Sequence, residues 1–451
     1  MKKYLFFSII PLFAIACQSV SSKHDDELDH KVEVVISAQI ETLSSPMKVS
    51  GKGSDPNNPA EGVIELTWDI GDQIMVTTEY ENAIFRLKEG EGTKYALFKG
   101  DVSPKTESYS VVYPTNYTDK VLYNQTYIPN GFGKDLIKLS TREDGTVKGG
   151  FTLVVDNALL GLQIKGQNKL NKIVLTNSET EQTYTLTCPT IQLTADQPIL
   201  FYIVVPAEEW QQGFTVDLYN HNNILIERFK KTSPAIFEAG KAMIMPISEI
   251  TYEYVDLGLS VKWATCNVGA SVPEEYGEYF AFGEIVPQPY RTYLWMSYAH
   301  CKGTSKTLTK YNTNPSYGYN NFVDGLTTLL PEDDAANINW TNEWRIPTRK
   351  ELLELKNNCT WVETTLSGVT GHLVTSKKEG YSDRSIFLPF SGVGYNNCLT
   401  QLGSEGNYAC SEIHSSNETP YYAMIIHINR GNVVEWRYNR ERGISIRPVC
   451  P

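Results

Sequence analysis

Six of the eight cysteines, Cys266, Cys301, Cys359, Cys398, Cys410 and Cys450, lie in the C-terminal part of the chain. In an oxidising compartment such a set is read as disulfide-forming, and Cys398 and Cys410 are placed to close a local loop. Sequence alone leaves the connectivity open. No CxxC pair or closely spaced His accompanies them, so the pattern does not point to zinc. The patterns HExxH, GxSxG and GxxxxGK followed by Ser or Thr are absent. His300 directly precedes Cys301, and adjacency along a chain does not aim an imidazole at a thiolate. That pair is read as structural or surface chemistry, and the chain is not expected to be an enzyme.

The same region offers contact chemistry instead. Sugars are held by aromatic faces that stack on C–H groups and by planar amides that bond hydroxyls. Three clusters supply both types: Tyr395-Asn396-Asn397, Ser415-Ser416-Asn417-Glu418 and Trp436-Arg437-Tyr438-Asn439-Arg440. Tyr395, Asn396, Asn397, Asn417, Trp436, Tyr438, Asn439 and Arg440 are therefore the candidate ligand contacts, weighed against ordinary solvated turns. Calcium is the only cofactor considered, through the hard oxygens of Asp333, Asp334, Asn337 or Glu418. Asp333 reads better as a helix cap, so no metal site and no cofactor are assigned.

An export segment sets the compartment. Lys2 and Lys3 precede an apolar stretch from Tyr4 to Ile15, too short for a bilayer, which needs about 20 apolar residues. It reads as a signal peptide over residues 1–17. Ala14-Ile15-Ala16-Cys17 resembles a lipobox, which implies cleavage before Cys17 and palmitate-type acylation there. Gln18 is not the Asp that resembles inner-membrane retention, so the outer membrane is expected. The run Lys23-His24-Asp25-Asp26-Glu27-Leu28-Asp29 resembles the acidic surface-export signal of Bacteroidetes lipoproteins, within a flexible tether over 18–31.

Composition agrees with a surface-exposed, lipid-anchored protein. The 451 residues leave room for about three domains. A net charge of −12 gives no electrostatic reason to bind nucleic acid. The 27 tyrosines suit twisted sheets and contact surfaces.

From Val32 the pattern alternates. Strand-like runs recur at 63–67, 73–77, 83–87, 95–99 and 109–113, then at 159–164, 172–176, 182–187, 199–205, 214–218 and 224–229, with turn residues between. This spacing predicts β-sandwiches or barrels, with no long helix before residue 250. Asp69-Ile70-Gly71-Asp72 supplies a tight turn, with Trp68 burying its ring at a sheet end.

Trp68-Asp69-Ile70-Gly71-Asp72-Gln73-Ile74, Tyr113-Pro114, Phe201-Tyr202-Ile203-Val204-Val205-Pro206 and Ala239-Gly240-Lys241, in that order, resemble the fimbrillin-like family of Bacteroidetes. The resemblance implies two tandem β-sandwich-like domains, at 32–147 and 148–250, and assembly by an added strand at an open sheet edge.

A third domain is expected at 251–451. Thr348 and Glu351 form a capping-box pattern before Leu352, Leu353 and Leu355, and 333–336 reads as a second helix start. Strands are expected at 385–390, 422–428, 433–438 and 444–449. The block from Asp256 to Gly269, Trp344-Arg345-Ile346-Pro347-Thr348, and the ending from Arg442 to Val449 resemble the Fibrobacter major paralogous domain. That implies an α+β, C-type-lectin-like fold, distantly similar to formylglycine-generating enzymes, and a lectin-type Cys359–Cys450 staple. The lectin calcium triplets are missing. Fold likeness does not give function. The overall expectation is a mainly β surface lipoprotein acting as a fimbrial accessory or tip subunit, or adhesin. Its expected partners are fimbrial subunits or host and microbial surface glycans or proteins. The alternatives are a stand-alone glycan-binding lipoprotein and an enzyme of the formylglycine-generating type.

Overall fold

The computed structural model describes residues 31–40, 43–44, 63–64, 66–129, 131–133, 136–141, 145–146, 150–289, 292–414 and 419–451. Cys17, the tether signal, Asn417 and Glu418 lie outside the described residues. The chain is mainly β, as alternation predicts.

Val32–Ile40 turns Ile36, Ala38 and Ile40 inward and pairs along its whole length with Tyr95–Val102. The strands Ser108–Tyr113, Gln73–Thr78, Asn82–Glu89, Tyr95–Val102, Val32–Ile40, Phe151–Val155 and Leu139–Thr141 follow one another by hydrogen bonding, and the last pairs back to the first. The sheet thus closes on itself, which removes most of its free edge. Trp68 is fully buried at its end, edge-on to Phe98 at 4.8 Å and Tyr113 at 5.4 Å. Its turn is tied in place. Asp69 N donates to Asp72 Oδ2 at 2.7 Å, Tyr113 Oη donates to Asp72 Oδ1 at 3.0 Å, and Gly71 takes φ 88°. The run expected at 63–67 forms only the short pair Val63–Ile64 with Leu43–Ser44.

Two further sheets follow. Asn157–Lys165 lies between Ile199–Pro206 and Ala242–Ile244, and Lys169–Asn177 lies between Thr183–Gln192 and Phe214–Asn220. Pairing crosses residue 148 in both directions. Phe151–Val155 belongs to the closed sheet, while Asn124–Thr126 runs parallel to Thr183–Gln192. One continuous apolar core runs from Ile36 to Ile250. Gln125 stitches it together. Its Nε2 donates to the Val204 carbonyl at 2.7 Å, and its Oε1 accepts from Val204 N at 2.9 Å.

Beyond residue 250 two short helices appear. α1 (Ala335–Asn339) is capped by Asp334, whose Oδ1 accepts from Ala336 N and Asn337 N. The cap is therefore Asp334, not Asp333, which pairs with Lys310 and Tyr311. α2 (Arg349–Asn358) carries the full capping box of Thr348 and Glu351. Leu352 and Leu355 bury against Val374, Leu388 and Ile426. The single strand expected at 444–449 is broken into Ile444–Ser445 and Val449–Cys450. Pro448 has no N–H for a ladder. Beside it the wholly buried Arg447 donates to Asn267 Oδ1 and to the carbonyls of Ala264, Thr265 and Phe387.

The expected disulfides are not formed: all seven described cysteines carry free thiols. Cys398 is exposed while Cys410 is buried inside Gly406–Ile413, so that pair does not close a loop. Cys359 sits with Leu355 and Val374, whereas Cys450 sits with Trp340 and Trp344, in separate apolar clusters. Cys266 is half-buried, and Cys301 turns its thiol toward the Trp295 carbonyl.

Candidate functional site

The hairpin Tyr422–Asn429 with Asn432–Asn439 forms one side of a five-stranded sheet, and Asn432–Asn439 is its outer strand. The register sets Trp436 opposite Ile425 and Tyr438 opposite Ala423. Strand alternation puts Trp436 and Tyr438 on one face and Glu435 and Arg437 on the other.

On the first face Trp436 is 54% exposed. Tyr438 is half-buried against the cluster of Val393, Ile425 and Ile444. The small hairpin of Val393–Tyr395 and Cys398–Thr400 joins this face because Gly394 and Gly443 exchange backbone hydrogen bonds at 2.8 and 3.0 Å. Both must be glycine there, since a Cβ on either would meet the Tyr293 ring at 2.3 Å. The approach brings Tyr395, 40% exposed, toward Tyr438, with Arg442 between them. The guanidinium carbon of Arg442 lies 4.4 Å from the Tyr395 ring centroid and 4.6 Å from that of Tyr438. Both distances are within cation–π range. The Arg442 Nε is buried with no hydrogen-bond partner. Burial raises the Tyr438 phenol pKa, and the Arg442 charge works against that rise.

The sequence candidates divide. Tyr395, Trp436 and Tyr438 come together on this face. Asn396 and Asn397 are exposed at the hairpin turn, where Asn396 has φ 53° and its carbonyl accepts from Tyr293 N. Asn439 turns to Glu441, donating to Oε1 at 3.2 Å. Arg440 is a correction: it is wholly buried and has no ligand-facing surface. Its Nε and Nη2 donate to Tyr298 Oη at 3.0 and 2.8 Å, and Nη1 donates to the Tyr311 carbonyl. Arg440 stands in the turn just beyond the strand Asn432–Asn439, and its hydrogen bonds brace the fold.

The calcium candidates are not gathered. Asp334 accepts three backbone N–H groups, from Ala336, Asn337 and Ile346. Asn337 donates to the carbonyls of Asn342 and Trp344. Among the described residues no group of three His, Cys, Asp or Glu is placed to hold a metal ion. His300 Nε2 is bonded to the Gly283 carbonyl, whereas the Cys301 thiol is bonded to the Trp295 carbonyl.

Sequence reasoning missed Arg442, whose only signal was its place four residues after Tyr438. It also missed the opposite face. There a cleft of about 500 Å³ is lined by Arg349, His414, Tyr422, Glu435 and Arg437, with Met424 and Trp436 also on its wall. Arg349 is paired with Glu435 in two hydrogen bonds. Arg437 is bonded to His414 Nε2 at 3.1 Å, and burial followed by the Arg437 charge lowers the His414 pKa.

No protein-family model and no curated protein matches the chain. Among solved structures it is similar to a "putative cell adhesion protein" from Bacteroides ovatus, 13% identical, covering 49% of this chain and 92% of that one, TM-score 0.30. A fimbrial protein from Bacteroides ovatus is 10% identical over 93% of this chain and 99% of that one, TM-score 0.23. The C-terminally truncated tip fimbrial protein Mfa3 from Porphyromonas gingivalis is 12% identical over 44% and 80%, TM-score 0.20. At TM-scores below 0.5 these likenesses decide nothing about this chain.

Proposed function

We propose that the protein is a surface lipoprotein, anchored in the outer membrane through Cys17, that serves as a fimbrial accessory or tip subunit or adhesin and binds a glycan through its C-terminal part. In this reading residues 32–250, which share one core, form a β stalk, and 251–451 form the head. Export and lipidation rest on the signal-peptide and lipobox pattern. The observation that carries the binding reading is the packing of Tyr395 and Tyr438 on Arg442, with exposed Trp436 two residues along the strand from Tyr438. Exposed indole and phenol faces suit sugar C–H stacking, and their neighbours Asn396 and Asn397 offer amides for hydroxyls.

The test has two parts. Metabolic labelling with a palmitate analogue should mark the wild-type chain and not Cys17→Ser, and a membrane-impermeant protease should reach the protein on intact cells. The purified protein should bind members of a glycan array. No labelling, or no array binding at any protein concentration tried, contradicts the corresponding half of the proposal.

A further inference from the structure

We infer that Arg442 is the specificity residue of this face and that the glycan it takes carries a carboxylate. The inference rests on the binding reading above and names the chemistry of that site.

A guanidinium on a protein surface ordinarily spends its N–H groups on a carboxylate or on backbone carbonyls. Arg440 and Arg447 do the second. Arg228 and Arg345 do the first. Arg442 does neither. Its guanidinium donates no hydrogen bond to a described residue, and no described carboxylate lies within 4.0 Å of it. Glu441 Oε1 accepts from Asn439, while Glu441 Oε2 and Glu405 Oε2 are buried without a hydrogen-bond partner, and neither carboxylate comes within ion-pair distance of the guanidinium.

Two tyrosine rings pack against the group, with centroids 4.4 and 4.6 Å from its central carbon. Packing against rings leaves the N–H groups of a guanidinium uncommitted, and its planar fork fits a carboxylate with two parallel hydrogen bonds. With Nε buried, the fork that meets a ligand is formed by the two terminal nitrogens. The rings also fix the side chain in advance, so little rotamer freedom is lost when a ligand arrives. Trp436 stands two residues from Tyr438 on the same face, about 7 Å along the strand. That spacing lets one sugar ring stack on the indole while a carboxylate on the same unit or its neighbour meets Arg442.

The test is an equilibrium titration of the purified full protein with oligogalacturonate and with its fully methyl-esterified, uncharged form. The acid form is expected to bind at least about tenfold more tightly, the worth of one hydrogen-bonded charge pair. Arg442→Gln should erase that preference. Arg442→Lys keeps the charge but not the fork, and should retain only part of it. Trp436→Ala should weaken both forms alike. Melting curves confirm that each variant is folded, and Arg442→Lys covers the case in which Arg442→Gln is not. Equal affinity for acid and ester overturns the inference, as does an unchanged preference in folded Arg442→Gln or tighter binding of a sulfated glycan than of the carboxylated one. In those outcomes the binding face itself still stands. Absence of binding to any glycan, charged or neutral, overturns the underlying reading as well.

Discussion

Asn220 Nδ2 donates to Asn339 Oδ1 at 2.9 Å, joining a β-hairpin to α1 across 119 residues of sequence. Asn222 Nδ2 reaches the same oxygen at 2.9 Å. Around them Ile224 is buried among Trp340, Trp344 and Ala336, and Tyr252 stacks on Trp340 at 4.0 Å with rings 7° apart. Arg228 adds an ion pair to Glu275. The parts before and after residue 250 therefore meet through a packed, hydrogen-bonded seam.

Asn339→Ala removes the Oδ1 acceptor shared by buried Asn220 and half-buried Asn222. It should cost about 1–3 kcal/mol. Calorimetry should report a lower Tm, and limited proteolysis near residue 250 should speed up. An unchanged proteolysis rate would mean the seam contributes nothing.

Arg447 is wholly buried without a carboxylate partner, and burial lowers its pKa. Its value lies in satisfying Asn267 and three carbonyls at once. Arg447→Met should destabilise by at least about 3 kcal/mol, since each stranded acceptor costs about 1–3. Arg447→Lys should rescue only part, because an ammonium lacks the planar fork. Denaturant midpoints measure both.

Thr348→Ala removes the acceptor for Glu351 N at the start of α2. A loss of about 0.5–2 kcal/mol is expected in urea unfolding. A larger loss would point to a role for Thr348 beyond the cap.

His372 is buried edge-on to Phe390 at 5.3 Å, with Nδ1 unpartnered, and burial lowers its pKa. Unfolded, it takes up a proton near pH 6.5. Below that value the unfolded chain binds more protons than the folded one, so stability falls as pH drops toward the folded pKa. His300, also lowered by burial, acts with the same sign. His372→Phe should reduce the fall in Tm between pH 7 and pH 5, leaving the part due to the other histidines with lowered pKa, His221, His300 and His414. An identical pH profile would show that His372 is not held neutral.

Much of the fold was legible because alternation is local. Runs such as Gln73–Thr78 and Tyr95–Val102 declare their buried face, and Thr348 with Glu351 declares a helix start. Pairing is not local. Nothing near Phe151 says that it joins Val32–Ile40, or that Asn124–Thr126 leaves for a different sheet. The site was half legible for the same reason. Tyr395, Trp436 and Tyr438 could be chosen by type, but Arg440 and Arg442 could not be told apart. One turns into the core onto Tyr298 and Tyr311, and the other packs on Tyr395 and Tyr438, partners that lie far away in sequence for all but Tyr438. The cysteine count likewise said nothing about whether the thiols meet.

The most direct measurement is a titration of wild-type protein and Trp436→Ala with the strongest glycan found on the array, both at equal foldedness. The account predicts saturable wild-type binding and a loss of about tenfold or more in the variant, in keeping with about 1–3 kcal/mol for a stacking contact. Equal affinity of the two proteins would contradict it.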